Sequence, residues 1–216
     1  MAHAPTGYKG MEGFVARWYA RTTPRNNDEC KRTARRIAAH LTSSSRVLEI
    51  APGPGYLAIE LVKLTGCRVT GLDISHTFVE IAAENVRRAG LCIDFQEGNA
   101  ADLPFPAGQF DFIVCRAAFK NFARPLEVLN EMHRVLRPRG TALIVDLRKD
   151  FSREALRTYL RDRGMIDAAV TKFIFNTMLK KRAYTTEGLA QLVATSQFKR
   201  GDIRVELIGF ELWLRK

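Results

Sequence analysis

No stretch of the 216 residues approaches the roughly 20 consecutive apolar residues that a membrane-spanning helix requires. The N-terminus, Met1-Ala-His-Ala-Pro-Thr-Gly, has no apolar core of the kind a secretory leader carries. A cytoplasmic location is therefore the expectation. Cysteine is scarce and scattered: Cys30, Cys67, Cys92 and Cys115 form no C-x-x-C pair. That argues against a disulfide framework and a ribbon-type zinc site, and the four are read as reduced, mostly buried thiols, with a soft-metal set the weaker alternative and no metal expected. Internal repeats and low-complexity tracts are absent. Acidic residues are in deficit, 23 Asp plus Glu against 34 Lys plus Arg, which gives a formal charge of +11. Such an excess can attract nucleic acid, an anionic membrane or an anionic substrate, and its blander reading is a solvated basic surface. The basic runs are not interleaved with aromatics, so a specific nucleic-acid partner is not expected. At 46% hydrophobic and 26% charged, the chain is composed as a globular protein.

What is present is concentrated in Arg46-Val-Leu-Glu-Ile-Ala-Pro-Gly-Pro-Gly-Tyr-Leu-Ala-Ile-Glu-Leu-Val-Lys-Leu64. Val47 to Ile50 reads as a buried strand. Ala51 to Gly55 breaks it, and Leu57, Ile59, Leu61, Val62 and Leu64 follow at helical spacing. Strand, glycine turn and helix make the layout of a nucleotide-binding crossover. Gly53 and Gly55 leave bare backbone against which a ligand can lie. The G-x-G-x-x-A match is loose, and Glu49 at the strand's end would repel a pyrophosphate. The same carboxylate suits a cationic ligand such as S-adenosylmethionine, which has a sulfonium and an amino group and no phosphate.

Residues 9–41 are expected to form two helices, the first with Met11, Phe14, Val15 and Trp18 on or near one face and the second from Asp28 to Leu41. Cys67 to Asp73 is a second strand. Its terminal acid stands 18 residues after Gly55, near the spacing at which an acid grips ribose hydroxyls. The competing role for Asp73 is to cap the helix that starts near Ser75. That helix runs to Gly90, with His76 a surface residue in its first turn. Further strands are expected at Leu91 to Gln96, Phe110 to Cys115 and Thr141 to Asp146, with a helix from Pro125 to Leu136 and a turn at Arg137-Pro-Arg-Gly140. His133 lies mid-helix, away from any glycine loop. Residues 150–183 interrupt the alternation with two helices, Ser152 to Arg163 and Met165 to Arg182, and read as an inserted lid. A helix capped by Thr185 or Thr186 and two strands within residues 203–215 close the chain. The whole of 1–216 reads as a single α/β domain.

In this order the motifs VLEIAPGPG, GLDIS, GNAADLPFPAGQFD and NEMHRVLRPRG resemble those of class I SAM-dependent methyltransferases, nearest to the type 11-like small-molecule methyltransferases. The resemblance covers about residues 44–148. It implies a Rossmann-like seven-stranded sheet of order 3-2-1-4-5-7-6 with strand 7 antiparallel. It implies that Glu49, Ala51, Gly53 and Gly55 run along the methionine part of SAM and that Asp73 takes the ribose hydroxyls. Ile74 would pack on adenine, Asn99 and Ala100 would edge it, and Cys115 and Arg116 would flank the methionine moiety. Ala51 stands where the family usually has glycine, and Asn99 where it usually has aspartate.

The acceptor is expected at the exit of the fourth strand, Arg116-Ala-Ala-Phe-Lys-Asn-Phe122. No NPPY-like run points to amino methylation and no Pro-Cys pair to cytosine chemistry. With no histidine there either, the acceptor is expected to be anionic or easily ionised, with Arg116 and Lys120 orienting it. The covers of this site are the N-terminal helix, through Phe14, Trp18 and Tyr19, and the inserted helices, through Phe173 and Met178. The leading function is methyl transfer from SAM to a small, partly apolar acceptor by a monomer or homodimer. A quinone or lipid acceptor is the alternative, an RNA acceptor is favoured only by charge, and an NAD(P) oxidoreductase is opposed by Glu49.

Overall fold

The computed structural model describes residues 10–22, 28–161 and 182–216. The elements in chain order are α1 (Gly13–Thr22), α2 (Asp28–Ala38), β1 (Arg46–Ile50), α3 (Tyr56–Thr65), β2 (Arg68–Asp73), α4 (His76–Arg88), β3 (Asp94–Glu97) and β4 (Phe110–Arg116). After a 3-10 turn at Phe119–Asn121 come α5 (Pro125–Val135), β5 (Leu136–Leu147), α6 (Arg153–Arg161), α7 (Thr186–Thr195), β6 (Asp202–Val205) and β7 (Gly209–Arg215).

The strands form one seven-stranded sheet of order β3-β2-β1-β4-β5-β7-β6. β1 pairs in parallel with β2 on one side and β4 on the other, and β7 runs antiparallel to both β5 and β6. The order expected from the resemblance is the order found. The sheet reverses its direction of growth between β1 and β4, and at such a point the connections leave to opposite faces and open a crevice at the strands' C-terminal ends. Side-chain alternation along the strands supplies two cores. Leu48, Ile50, Ile113 and Cys115 pack with Val128, Leu129 and Met132 of α5 and with Leu189 and Val193 of α7. Val47, Phe112 and Val114 pack on the other face with Ala34 and Ile37 of α2 and Leu57 and Leu61 of α3. Cys30, Cys67 and Cys115 are buried, whereas Cys92 is exposed.

Several boundaries differ from the sequence reading. β3 begins at Asp94 and not at Leu91, because the exit of α4 consumes the intervening chain: Gly90 takes φ +67° and the Leu91 amide donates to Val86 O at 3.2 Å. β5 begins at Leu136 and absorbs the expected Arg137–Gly140 turn. Leu136 pairs with Phe110, and Arg139, at φ +67°, bends the strand before its regular pairing with β4 resumes. α1 is turned over relative to expectation. Ala16 is its buried residue, and Phe14, Val15 and Trp18 face outward. The chain before it fixes this orientation: the Glu12 carboxylate accepts from the amides of His76 (3.0 Å) and Thr77 (3.2 Å) and from Thr77 Oγ1 (2.6 Å) at the start of α4. An anion is favoured at a helix N-terminus, and the bond from the Thr77 hydroxyl leads the effects that lower the Glu12 pKa. The helix expected at Met165 to Arg182, and most of the proposed lid with it, lies outside the described residues. Its neighbour α6 anchors on the body through Leu156, with Phe151 just before the helix, against Ile208.

Gly71 of β2 shows how closely the glycine turn is backed. A Cβ there would meet Phe95 Cδ1 at 2.4 Å and Pro52 Cγ at 3.2 Å. Gly71→Ala is therefore expected to destabilise the protein by about 1–3 kcal/mol through displacement of the Phe95 ring, as read by urea unfolding.

Candidate active site

The crevice at the C-terminal ends of β1, β2 and β4 is a cavity of about 450 Å³. Its floor is the β1–α3 turn. Gly53 and Gly55 take φ +54° and +77°, and a Cβ on Gly53 would have nothing within 4 Å, so that face of the backbone is open to the cavity. At Gly55 a Cβ would meet Ala82 Cβ and Phe95 Cζ, each at 3.1 Å, so this glycine serves close packing against α4. Ala51 also takes a left-handed backbone, φ +56°, where the resemblance implies glycine. For an L-residue that conformation costs roughly 1–2 kcal/mol, and the Ala51 amide is held in it by donating to Leu72 O at 2.8 Å.

Asp73 ends β2 at the cavity wall. Its Oδ2 accepts from the Gly53 amide (3.1 Å) and its Oδ1 from the Ser75 amide (3.0 Å). Capping of α4 falls to Ser75, whose Oγ accepts from Phe78 N at 3.1 Å. Asp73 is thus not the helix cap. It braces the glycine turn, and lone pairs on both its oxygens remain for a ligand's hydroxyls. Burial raises its pKa, against the pull of those backbone bonds.

Glu49, in the middle of the floor, is the most unusual group. It is buried, and its Oε2 has no hydrogen-bond partner among the described residues. Burial pushes its pKa from 4.5 to about 8, opposed by the charge of Arg116 and by the Ala58 amide. An orphaned carboxylate facing a cavity is the environment that a cationic group would satisfy. Arg116 also lines the cavity, and its Nη2 donates to Glu29 Oε2 of α2 at 3.2 Å.

The remaining candidates separate. Ile74, Asn99, Ala100 and Tyr19 line the cavity. Asn99 Oδ1 accepts from the Ala101 amide at 3.0 Å, which fixes the side-chain amide at the wall. Tyr19 sits edge-on to Phe78, ring centroids 5.9 Å apart. Cys115 does not line the cavity: its side chain belongs to the core below, where burial raises its thiol pKa. Phe14 and Trp18 do not line the cavity, contrary to expectation, because Ala16 and Tyr19 are the α1 residues that approach the body. Phe173 and Met178 lie outside the described residues.

Lys120 is the main correction. It does not reach the cavity. Its Nζ donates to Asp146 Oδ1 (2.8 Å) and Ala117 O (2.6 Å), and its amide donates to Asp146 Oδ2 (2.9 Å). Both charged side chains are almost fully buried. The pair ties the exit of β4 to β5 and holds Ala117 at φ +58°. Lys120 therefore shapes the acceptor side from behind. The acceptor-side wall itself consists of Ala117, Ala118, Asn121, Phe122, Ala123, Arg124 and Val128. In this stretch only Arg116 and Lys120 were expected to carry a role. Asn121 and Phe122 carried the signal, one and two residues past the lysine.

These residues fit S-adenosylmethionine. Glu49 offers an unsatisfied carboxyl group that a cationic end would ionise, Asp73 offers acceptors to a diol, and the bare turn at Gly53 leaves room between them. A doubly wound sheet with such a floor defines a nucleoside-binding transferase of the class I methyltransferase fold. Residues 48–144 match the methyltransferase domain family. The chain is 31% identical over 179 residues, 78% of this chain and 76% of the relative, to a 2-phytyl-1,4-naphtoquinone methyltransferase of Synechococcus elongatus. It is 36% identical over 102 residues to a demethylmenaquinone methyltransferase of Thermus thermophilus, covering 47% of this chain and 46% of the relative. In fold it superposes on a putative S-adenosyl-L-methionine-dependent methyltransferase from Methanococcus maripaludis with a TM-score of 0.76 at 19% identity, over 98% of this chain and 96% of that one. The chain belongs to the methyltransferase domain family and is a SAM-dependent methyltransferase.

Two outcomes are expected of the site. Between pH 4.5 and about 8 the folded, ligand-free protein holds a proton on Glu49 that the unfolded chain releases, so this group's contribution to stability falls as pH rises through that window. A bound cation returns Glu49 to its ionised form, so SAM binding near pH 7 should release close to one proton, measurable as a buffer-dependent heat in titration calorimetry; Glu49→Gln should bind more weakly and release none. Lys120→Met leaves Asp146 buried and unpaired and should cost about 3–5 kcal/mol in urea unfolding, with part of the loss recovered in the double variant Lys120→Met/Asp146→Leu.

Proposed function

We propose that the acceptor is a small hydroxylated aromatic ring of the quinol class, carrying an apolar substituent, and that the protein works as a cytoplasmic enzyme without a specific nucleic-acid partner. The observation that carries this reading is the composition of the acceptor-side wall. Ala117, Ala118, Phe122, Ala123 and Val128 offer an apolar surface to a ring, and Asn121, Arg116 and Arg124 offer the polar contacts. The 31% identity to a naphthoquinone methyltransferase, over most of both chains, supports the same class.

S-adenosylmethionine supplies, when bound, an electrophilic methyl group on a sulfonium whose thioether leaves without needing a proton. The tasks left to the chain are binding, orientation and exclusion of water. Glu49 would hold the cationic end of the cofactor and Asp73 its ribose. The wall residues would press the flat face of the acceptor towards the floor, and the guanidinium of Arg124 would favour the ionised form of its hydroxyl. No histidine lines the cavity among the described residues. An acceptor whose own hydroxyl ionises readily, and so enriches electron density in the ring, needs no strong base from the protein.

The test is a panel of reduced naphthoquinols, simple phenols, thiols, carboxylates and amines incubated with SAM, with S-adenosylhomocysteine and methylated product followed by mass spectrometry. Turnover is expected on the reduced naphthoquinol and not on its oxidised form. Asn121→Ala and Arg124→Ala should each raise the acceptor KM by about tenfold, the worth of one charge-assisted contact, with SAM affinity unchanged. Turnover confined to carboxylates, thiols or amines would overturn the reading.

A further inference from the structure

Three of the large apolar side chains of α1 are exposed in the described structure. Phe14 is 79% exposed, Trp18 57% and Val15 53%, while Ala16 is buried and Tyr19 packs against Phe78. A soluble helix ordinarily buries its large apolar residues and leaves the small and charged ones outside. Here Phe14, Val15 and Trp18 lie outside, and the Glu12 carboxylate on the start of α4 holds the segment in that orientation.

Charge accompanies the exposed face. The helix reads Gly-Phe-Val-Ala-Arg-Trp-Tyr-Ala-Arg-Thr, with two arginines and no acid. Arg17 and Arg21 are four apart and share a stripe beside Phe14 and Trp18, which are also four apart. Both arginines are exposed. The acid that precedes the helix, Glu12, is already engaged by α4. An exposed aromatic pair flanked by arginines on a short helix, on a protein of net charge +11, has the chemistry of a surface that lies in the headgroup layer of an anionic bilayer.

Position adds to this. The segment carrying the face is also a wall of the cavity, through Met11 before the helix and Tyr19 within it. We propose that α1 is a membrane-surface helix: Phe14, Val15 and Trp18 enter the interface of an anionic phospholipid bilayer, Arg17 and Arg21 pair with its phosphates, and the cavity is thereby held at the membrane surface. The proposal goes beyond the acceptor assigned above and does not depend on it, because vesicles alone reveal it.

The experiment is co-sedimentation of the full chain with vesicles of phosphatidylcholine containing about one third phosphatidylglycerol, and with pure phosphatidylcholine vesicles, at about 0.15 M salt, where long-range attraction is screened. Binding is expected to the mixed vesicles and at least about tenfold less to the neutral ones. Phe14→Ser/Trp18→Ser and Arg17→Glu/Arg21→Glu should each weaken binding by about tenfold or more, with SAM affinity unchanged as the check that the site is intact. Brominated lipid should quench Trp18 emission in a Trp213→Phe background. Protein that stays in the supernatant, or binding that both double variants retain, would overturn the proposal. So would a dimer in sedimentation velocity that Phe14→Ser/Trp18→Ser dissociates, which would assign the face to a second copy of the chain.

Discussion

One carboxylate holds the two halves of the cofactor side together. Asp73 accepts from the Gly53 amide with one oxygen and from the Ser75 amide with the other. The first bond fixes a left-handed glycine turn at the end of β1, and the second fixes the entry into α4. Without it the bare face of Gly53 would have no defined position relative to β2, and Glu49 would have no defined floor in which to be buried. The strand order makes this possible, since it brings β1 and β2 side by side in parallel, with Glu49 opposite Gly71 and the turn opposite Asp73. Charged-group hydrogen bonds of this kind are worth roughly 1.5–3 kcal/mol each, enough to offset the strain of the left-handed residues beside them.

The acceptor side is built on a second device of the same sort, a buried ion pair in place of a lone carboxylate. Lys120 and Asp146 satisfy each other and three backbone groups, the amides of Lys120 and Leu147 and the carbonyl of Ala117. Buried pairs are poor sources of net stability, and their better-attested use is to select one arrangement over others. Here the arrangement selected is the sharp exit of β4, with Ala117 left-handed and its amide donating to Val145 O at 2.8 Å. Each side of the crevice therefore has an alanine held at positive φ by a neighbouring polar group, Ala51 on one side and Ala117 on the other. Strain at such positions persists only where the surroundings over-determine it.

What could be read from the chain alone follows the range of the forces. The strand–turn–helix around Gly53 and Gly55, the acid at Asp73 and the βα alternation are local patterns, and each was found where the residues put it. The sheet order came through the resemblance, since no local pattern specifies which strands neighbour which. Three things were not legible, and each depends on a contact distant in sequence. Lys120 looks like a loop lysine until Asp146 is brought beside it. The inward face of α1 looks like Phe14 and Trp18 until Glu12 latches onto α4, 64 residues away in sequence. The state of Glu49 depends on the burial that α2 and α3 impose, and a lone Glu in a strand pattern does not announce a raised pKa.

The distribution of thiols gives the protein a handle that chemistry can use. Among the described residues Cys92 is exposed, while Cys30, Cys67 and Cys115 lie in the interior. Burial also holds those three in the protonated, unreactive state. Cys92 comes just before β3, at the edge of the sheet opposite the crevice, because β3 runs parallel to β2 and its C-terminal end is the one near the site. A maleimide dye or spin label attached there sits on the far side of the domain from floor, wall and α1 alike. The native sequence thus provides a single anchoring point for optical or resonance measurements, with no cysteine to be removed from the core.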